Sequence, residues 1–201
     1  MKFITFSGID GSGKSTQLKL LKEKLERDEK KAAYFHAVEF SLANRLLRRS
    51  RGQKEFVPGR DQAVTEASFL KLLLRKIFLY LDLLRFNLYA RRLKRQGYDY
   101  LLSDRSFFDS LINLSYLSRR SDPPVWLERL LPEVDHAFYL ALKPERVEER
   151  TRVPEQGLAY LKAKEALFLR KASEWNFIVI PADDTPENVH QRVINALQFK
   201  H

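Results

Sequence analysis

Short apolar runs alternate along the chain with longer stretches in which apolar residues recur every three or four positions. Phe3, Ile4 and Phe6 mark the first run, over 2–7, and similar runs fall at 32–38, 98–103, 137–142 and 177–180. Runs of this length, rich in aromatic and β-branched residues, predict five β-strands. Between them, Leu18, Leu21 and Leu25 share one face of a helix predicted over 14–28. Leu70, Leu73, Leu74, Ile77, Leu81, Leu84 and Leu88 mark a stripe predicted to be buried, on one bent helix or on two, closed by Gly97. Thr185 and Pro186 suit the cap and first turn of a last helix that buries Val189, Val193 and Leu197. Residues 51–60 show neither period and predict a loop. Strands alternating with helices imply stacked βα units, hence a parallel sheet between two helical layers.

Where the first strand meets the first helix, Gly8-Ile9-Asp10-Gly11-Ser12-Gly13-Lys14-Ser15 fits the phosphate-loop pattern G-x-x-x-x-G-K-[ST] without a mismatch. Glycines let successive backbone N–H groups converge on phosphate oxygens with no Cβ between them, and the new helix adds its positive end. Residues 8 and 10–16 (Gly8, Asp10, Gly11, Ser12, Gly13, Lys14, Ser15 and Thr16) are therefore the expected ATP-binding set. Lys14 is expected on the β- and γ-phosphates, and Ser15 on Mg²⁺. Such a loop fits a P-loop α/β fold, and the fold expected for the whole chain is three-layered, with five parallel strands in the order 2-3-1-4-5. Asp104 ends the third predicted strand, at the sheet edge where α/β proteins bind ligands. It is either a second Mg²⁺ ligand, direct or through water, or the N-cap of a helix starting near Phe107. Arg105 beside it suits the phosphate of an acceptor.

Composition narrows the classes. With 44% hydrophobic residues and no fixed-period repeat, the 201 residues read as one globular domain. The absence of cysteine excludes disulfides, thiolate metal sites and cysteine nucleophiles, and the four histidines are scattered. No signal-peptide pattern precedes the phosphate loop, and charged residues interrupt the most apolar stretch, so a cytoplasmic protein without a membrane span is expected. The formal net charge of +10 fits phosphorylated substrates, a solvated surface or nucleic acid equally. The basic run at Arg45, Arg48, Arg49, Arg51 and Lys54 follows strand two and stands near the expected acceptor pocket.

The sequence resembles the thymidylate kinase family over its whole length. The likeness rests on the Asp10 form of the phosphate loop followed by Thr16-Gln17, on Asp104-Arg105, on 139–142 with Pro144-Glu145 and Glu149-Arg150, and on 180–183. It implies a single kinase domain over 1–201 with a short lid at 150–157, ATP and Mg²⁺ as cofactors, a nucleotide acceptor, thymidylate first, and possible homodimer pairing through the leucine-rich helix. It also implies that Asp10 approaches the acceptor sugar, that Arg105 takes its phosphate, that Arg150 and Arg152 meet the phosphates in transit, and that 180–183 border adenine. Departures cluster at the acceptor base. Ser106 replaces a tyrosine, Asp109 stands where a serine is usual, and Val38-Glu39-Phe40-Ser41 keeps only the glutamate of an Arg-Glu-Pro-Gly-Gly segment. Arg85 is the best candidate for the base-reading arginine, with Leu81 in place of the stacking aromatic four residues before it. Asp104-Arg105-Ser106 with Glu39 also resembles deoxynucleoside kinases, the second reading, in which Glu39 would be the general base for a neutral hydroxyl. A P-loop protein that binds nucleotide or nucleic acid without catalysis is the third alternative.

Overall fold

A computed structural model describes residues 1–42, 69–119, 122–148 and 157–198. Its elements run β1 (Lys2–Ser7), α1 (Lys14–Arg27), β2 (Ala32–Phe35), α2 (Ala37–Phe40), α3 (Phe69–Arg95), β3 (Tyr100–Ser103), α4 (Phe107–Leu117), α5 (Val125–Glu128), β4 (His136–Ala141), α6 (Pro144–Glu148), α7 (Gly157–Ala172), β5 (Ile178–Pro181) and α8 (Pro186–Gln198). The five strands form one parallel sheet in the order β2-β3-β1-β4-β5, as expected. Parallel neighbours require crossovers, and the helices that supply them cover both faces.

One face packs Leu18, Leu21 and Leu25 of α1 and Val189 and Val193 of α8 against Phe6 and Phe138, whose rings stack at 5.3 Å. The other gathers Phe3, Phe35, Phe86 and Phe107 with Leu83 and Leu111, and a further cluster joins Phe108 and Phe168 to Tyr139 and Phe177. Among the described residues, no helix is long and apolar enough to cross a membrane.

Two expectations change. The second strand stops at Phe35, not at Val38, because its only ladder is with β3, whose last paired residue is Ser103. His36 then caps α2, its Nδ1 accepting the Glu39 N–H at 3.4 Å. The larger correction concerns α3, a single 27-residue helix. Leu70, Leu73, Leu74, Ile77, Leu81, Leu84 and Leu88 are not buried: their exposures run from 37% to 66%. The face turned inward carries Leu83, Phe86 and Leu93, with Leu72, Leu79 and Ala90 partly covered. Trp126, with half its surface exposed, extends the outward stripe through its ring contact with Tyr80.

The two faces predict opposite responses to truncation. Leu83→Ala, at a side chain 2% exposed, is expected to lower unfolding free energy by about 2–5 kcal/mol. Leu88→Ala, at 66% exposure, is expected to change it by less than about 1 kcal/mol. Urea unfolding at a concentration low enough to keep chains apart measures both, and equal losses would contradict the assigned faces.

Candidate active site

The loop between β1 and α1 has no space for side chains where it crosses the sheet. A Cβ at Gly8 would stand 2.9 Å from the Leu140 carbonyl oxygen and 2.7 Å from Ser12 Oγ. At Gly13 the constraint is conformational, with φ at +92° just before the helix starts. The Gln17 N–H is the first to bond within the turn, to the Gly13 carbonyl at 3.0 Å, so the preceding amides have no helical acceptor. They stand where a phosphate needs donors. Ser12 Oγ is buried with no hydrogen-bond partner among the described residues, a further polar atom suited to a ligand oxygen.

Lys14 is buried, and its Nζ donates to the carbonyls of Gly8 at 3.0 Å and Ile9 at 2.8 Å. Burial, which the negative charges of Asp10 and Asp109 only partly offset, lowers its pKa to about 8. Ser15 Oγ donates to Asp104 Oδ2 at 2.6 Å, and the other Asp104 oxygen accepts from Tyr34 Oη at 2.7 Å. Desolvation and that hydrogen bond hold the Tyr34 hydroxyl protonated well beyond the ordinary tyrosine range. Asp104 is not a helix cap: Ser106 caps α4, in a capping box with Asp109. A hydroxyl and a carboxylate converging on one point suit Mg²⁺, a hard cation that keeps several waters and completes its shell with phosphate oxygens. No cluster of three or more acidic or histidine ligands exists among the described residues, so a cage built wholly from such side chains is absent there.

On the acceptor side Arg105 donates to Asp10 Oδ1 at 2.7 Å. Desolvation acts to raise the Asp10 carboxyl, but the charges of Lys164, Lys14 and Arg105 outweigh it and hold the group below the usual carboxylate range. Asp109 is buried beneath, accepting from Ser7 Oγ at 2.8 Å and the Ser106 N–H at 3.1 Å. Burial pushes its carboxyl up. His36 stands close enough to feel Asp104, Arg105 and Glu39, and burial lowers its pKa, in keeping with a neutral ring whose Nδ1 accepts a hydrogen bond.

The fold thus brings Asp10, Lys14, Ser15, Asp104 and Arg105 together. Glu39 is exposed on α2. Arg85 is engaged elsewhere: it donates to Asp82 Oδ1 at 2.7 Å and to the Phe40 carbonyl at 3.3 Å, and lies over the Phe40 ring. With the Leu42 N–H also on Asp82, this cluster pins the end of α2 to α3. Arg150, Arg152, most of the 150–157 segment and the basic run at 45–54 lie outside the described residues. Two site residues had not been singled out in the sequence, Tyr34 and Lys164. Lys164 did leave a signal, since it occupies a core position in the apolar stripe of α7.

Fold and loop together define the class, a P-loop α/β protein. No protein-family model matches the chain. A curated protein, a probable thymidylate kinase from Methanocaldococcus jannaschii, is 28% identical over 199 residues, spanning 98% of this chain and 95% of its own. A solved thymidylate kinase structure from Candida albicans superimposes with a TM-score of 0.68 over 98% of this chain and 91% of that one, at 17% identity. The chain is similar to these thymidylate kinases over nearly its whole length.

The depressed Lys14 has a pH consequence. Above about pH 8 much of the free protein carries a neutral Lys14, whereas phosphates favour the ammonium. Nucleotide binding at pH 8.5 is therefore expected to take up a fraction of a proton, to take up almost none at pH 6.5, and to weaken as pH rises through 8. Calorimetric titration with Mg²⁺ and ATP in buffers of different ionisation enthalpy measures the uptake; a heat independent of buffer at pH 8.5 would refute it.

Proposed function

We propose that the chain is a cytoplasmic single-domain enzyme that transfers the γ-phosphoryl group of ATP to a nucleoside monophosphate, with thymidylate as the first acceptor to test. The observation that carries this reading is the Asp10–Arg105 pair, 2.7 Å apart beside the phosphate loop. A monophosphate acceptor already presents an anionic oxygen, so it needs cations to hold it and no base to deprotonate it. Arg105 supplies the cation, and Asp10 orients the guanidinium until a phosphate engages it.

On this reading the loop amides and Lys14 bind the ATP phosphates, while residues 180–183 border adenine. Ser15 and Asp104 would hold Mg²⁺, whose charge offsets that of the β- and γ-phosphates when it is bound. The acceptor phosphate oxygen forms a bond to the γ-phosphorus. The bond from that phosphorus to the β,γ-bridging oxygen breaks, and its electron pair leaves with ADP. Arg85 would meet the base only by releasing Asp82 or through its unengaged nitrogens, so base selection is the part of the reading with least structural support.

Glu39 separates this function from nucleoside phosphorylation. It is exposed, and no hydrogen bond positions its carboxylate among the described residues. Coupled ATP-consumption assays across nucleosides and nucleoside monophosphates are expected to show thymidylate turnover, with Glu39→Gln within about threefold of wild type. Turnover of thymidine instead, together with a collapse in Glu39→Gln, would overturn the reading.

We propose further that the outward stripe of α3, roughly 27 Å from Leu70 to Leu88, pairs two copies of the chain. An unbroken apolar row flanked by Val125 and Trp126 is larger than a solvated helix face normally presents. Sedimentation is expected to report a dimer for the full chain and a monomer for Ile77→Glu/Leu81→Glu. A monomeric wild type would remove the proposal.

A further inference from the structure

Helix α7 turns one stripe inward, Leu161, Lys164, Leu167, Phe168 and Lys171. Two of these five are lysines, each only 5% exposed. An ammonium withdrawn from water is strongly disfavoured unless an anion answers its charge. Lys171 meets that requirement. Its Nζ lies 2.6 Å from Glu174 Oε2, 2.9 Å from Glu128 Oε1 and 3.7 Å from Asp122 Oδ1. It ties α7 to the chain around α5 and needs no other explanation.

Lys164, about two turns nearer the active site on the same face, does not. Its Nζ donates to Tyr160 Oη at 3.1 Å and sits 5.0 Å from that ring's centroid. No carboxylate lies within 4.0 Å of it among the described residues. The phenol accepts one of its three N–H donors, and no described carboxylate stands close enough to take the other two. The charges near enough to feel Lys164 are Asp10 and Lys14 of the phosphate loop and Asp109 of α4. Asp10 is already bonded to Arg105, and Asp109 is occupied by Ser7 and Ser106. Three cations, Lys14, Arg105 and Lys164, therefore border one place where the available carboxylates have other partners.

We propose that Lys164 binds the phosphate of the acceptor nucleotide, its free N–H groups completing with Arg105 a site for a phosphomonoester. This inference rests on the monophosphate-acceptor reading above and gives it a named anion site. A phosphomonoester can bring a negative charge within hydrogen-bond reach of Lys164, which no described carboxylate does, whereas the hydroxyl of a nucleoside cannot. During transfer Lys164 donates hydrogen bonds and exchanges no proton.

Calorimetry on the full chain saturated with ADP and Mg²⁺, titrated with thymidylate or inorganic phosphate, tests this. Lys164→Met is expected to weaken both ligands by about ten- to a hundredfold while ADP affinity stays within about threefold, and Lys164→Arg to recover most of the loss. Unchanged binding in Lys164→Met would overturn the proposal. So would equal loss of ADP and phosphate binding with a lowered Tm, or a wild type that binds neither thymidylate nor phosphate. Should Lys164→Met fail to fold, lysine-labelled wild type read by carbon NMR, with Lys164→Arg for assignment, replaces it: the Lys164 signal must move on adding thymidylate or phosphate, and a static signal sinks the site. If thymidylate is not phosphorylated yet phosphate binding collapses in Lys164→Met, the acceptor reading falls and the site stands. If thymidylate is phosphorylated and Lys164→Met behaves as wild type, the site falls and the reading stands.

Discussion

The approach of Gly8 to the Leu140 carbonyl is the constraint on which the rest depends. With 2.9 Å available where a Cβ would go, the chain leaving β1 passes against β4, its parallel neighbour in the sheet. Only from there can it turn through Gly11 and Gly13 and start α1 with its unbonded amides at the carboxyl edge of the strands. The same turn carries Lys14 under the loop rather than into solvent, and sets Ser15 against Asp104 at the end of β3. A single position without a side chain thus decides where the loop amides, a cation and a hydroxyl–carboxylate pair stand relative to one another.

Electrostatics then sets what the site can hold. Lys14 is disfavoured as a cation by its burial, Asp109 as an anion by its own, while the surrounding cations stabilise the charge of Asp10. In a medium of low effective dielectric these opposed shifts describe a site whose own charges are incompletely matched. An incoming polyphosphate changes each balance in one direction: it restores the preference of Lys14 for the ammonium and gives Arg105 an alternative to Asp10. The site is therefore complementary to anions in a way that charge counting over the whole chain, at +10, could not establish.

Much of this was legible from residue order. The phosphate loop carries its own geometry, and runs of period two or of unbroken apolar character located all five strands to within a few residues. Helix α3 was legible as a helix but not as an oriented one. Two interleaved rows satisfy the same period, Leu70 to Leu88 on one side and Leu72, Leu79, Leu83, Phe86, Ala90 and Leu93 on the other. Periodicity cannot choose between two apolar rows, and the aromatic partners of Phe86, namely Phe3, Phe35 and Phe107, come from distant segments. Lys164 escaped for the opposite reason. A lysine in a helix is ordinarily solvated, and only the burial of its neighbours Leu161 and Phe168 reveals that this one is not.

The acceptor side combines a fixed backbone with one side chain able to change partner. Arg105 lies between Asp104, held by Ser15 and Tyr34, and Ser106, which caps α4 and whose own N–H is bonded to Asp109. Its carbonyl accepts the Ala37 N–H at 2.9 Å, so α2 is anchored to the same residue. With the main chain secured before, at and after residue 105, the guanidinium moves only through its side-chain torsions, and Asp10 defines where it rests. Exchange of a carboxylate for a phosphate keeps the guanidinium hydrogen-bonded to an anion throughout. The departures from thymidylate kinases at Ser106 and Asp109 fall on this anchoring framework: a capping hydroxyl and a buried carboxylate hold Arg105 from below. The framework therefore fixes where the Arg105 guanidinium can present its donors, and under the proposed function selection of the base is left to elements beyond it.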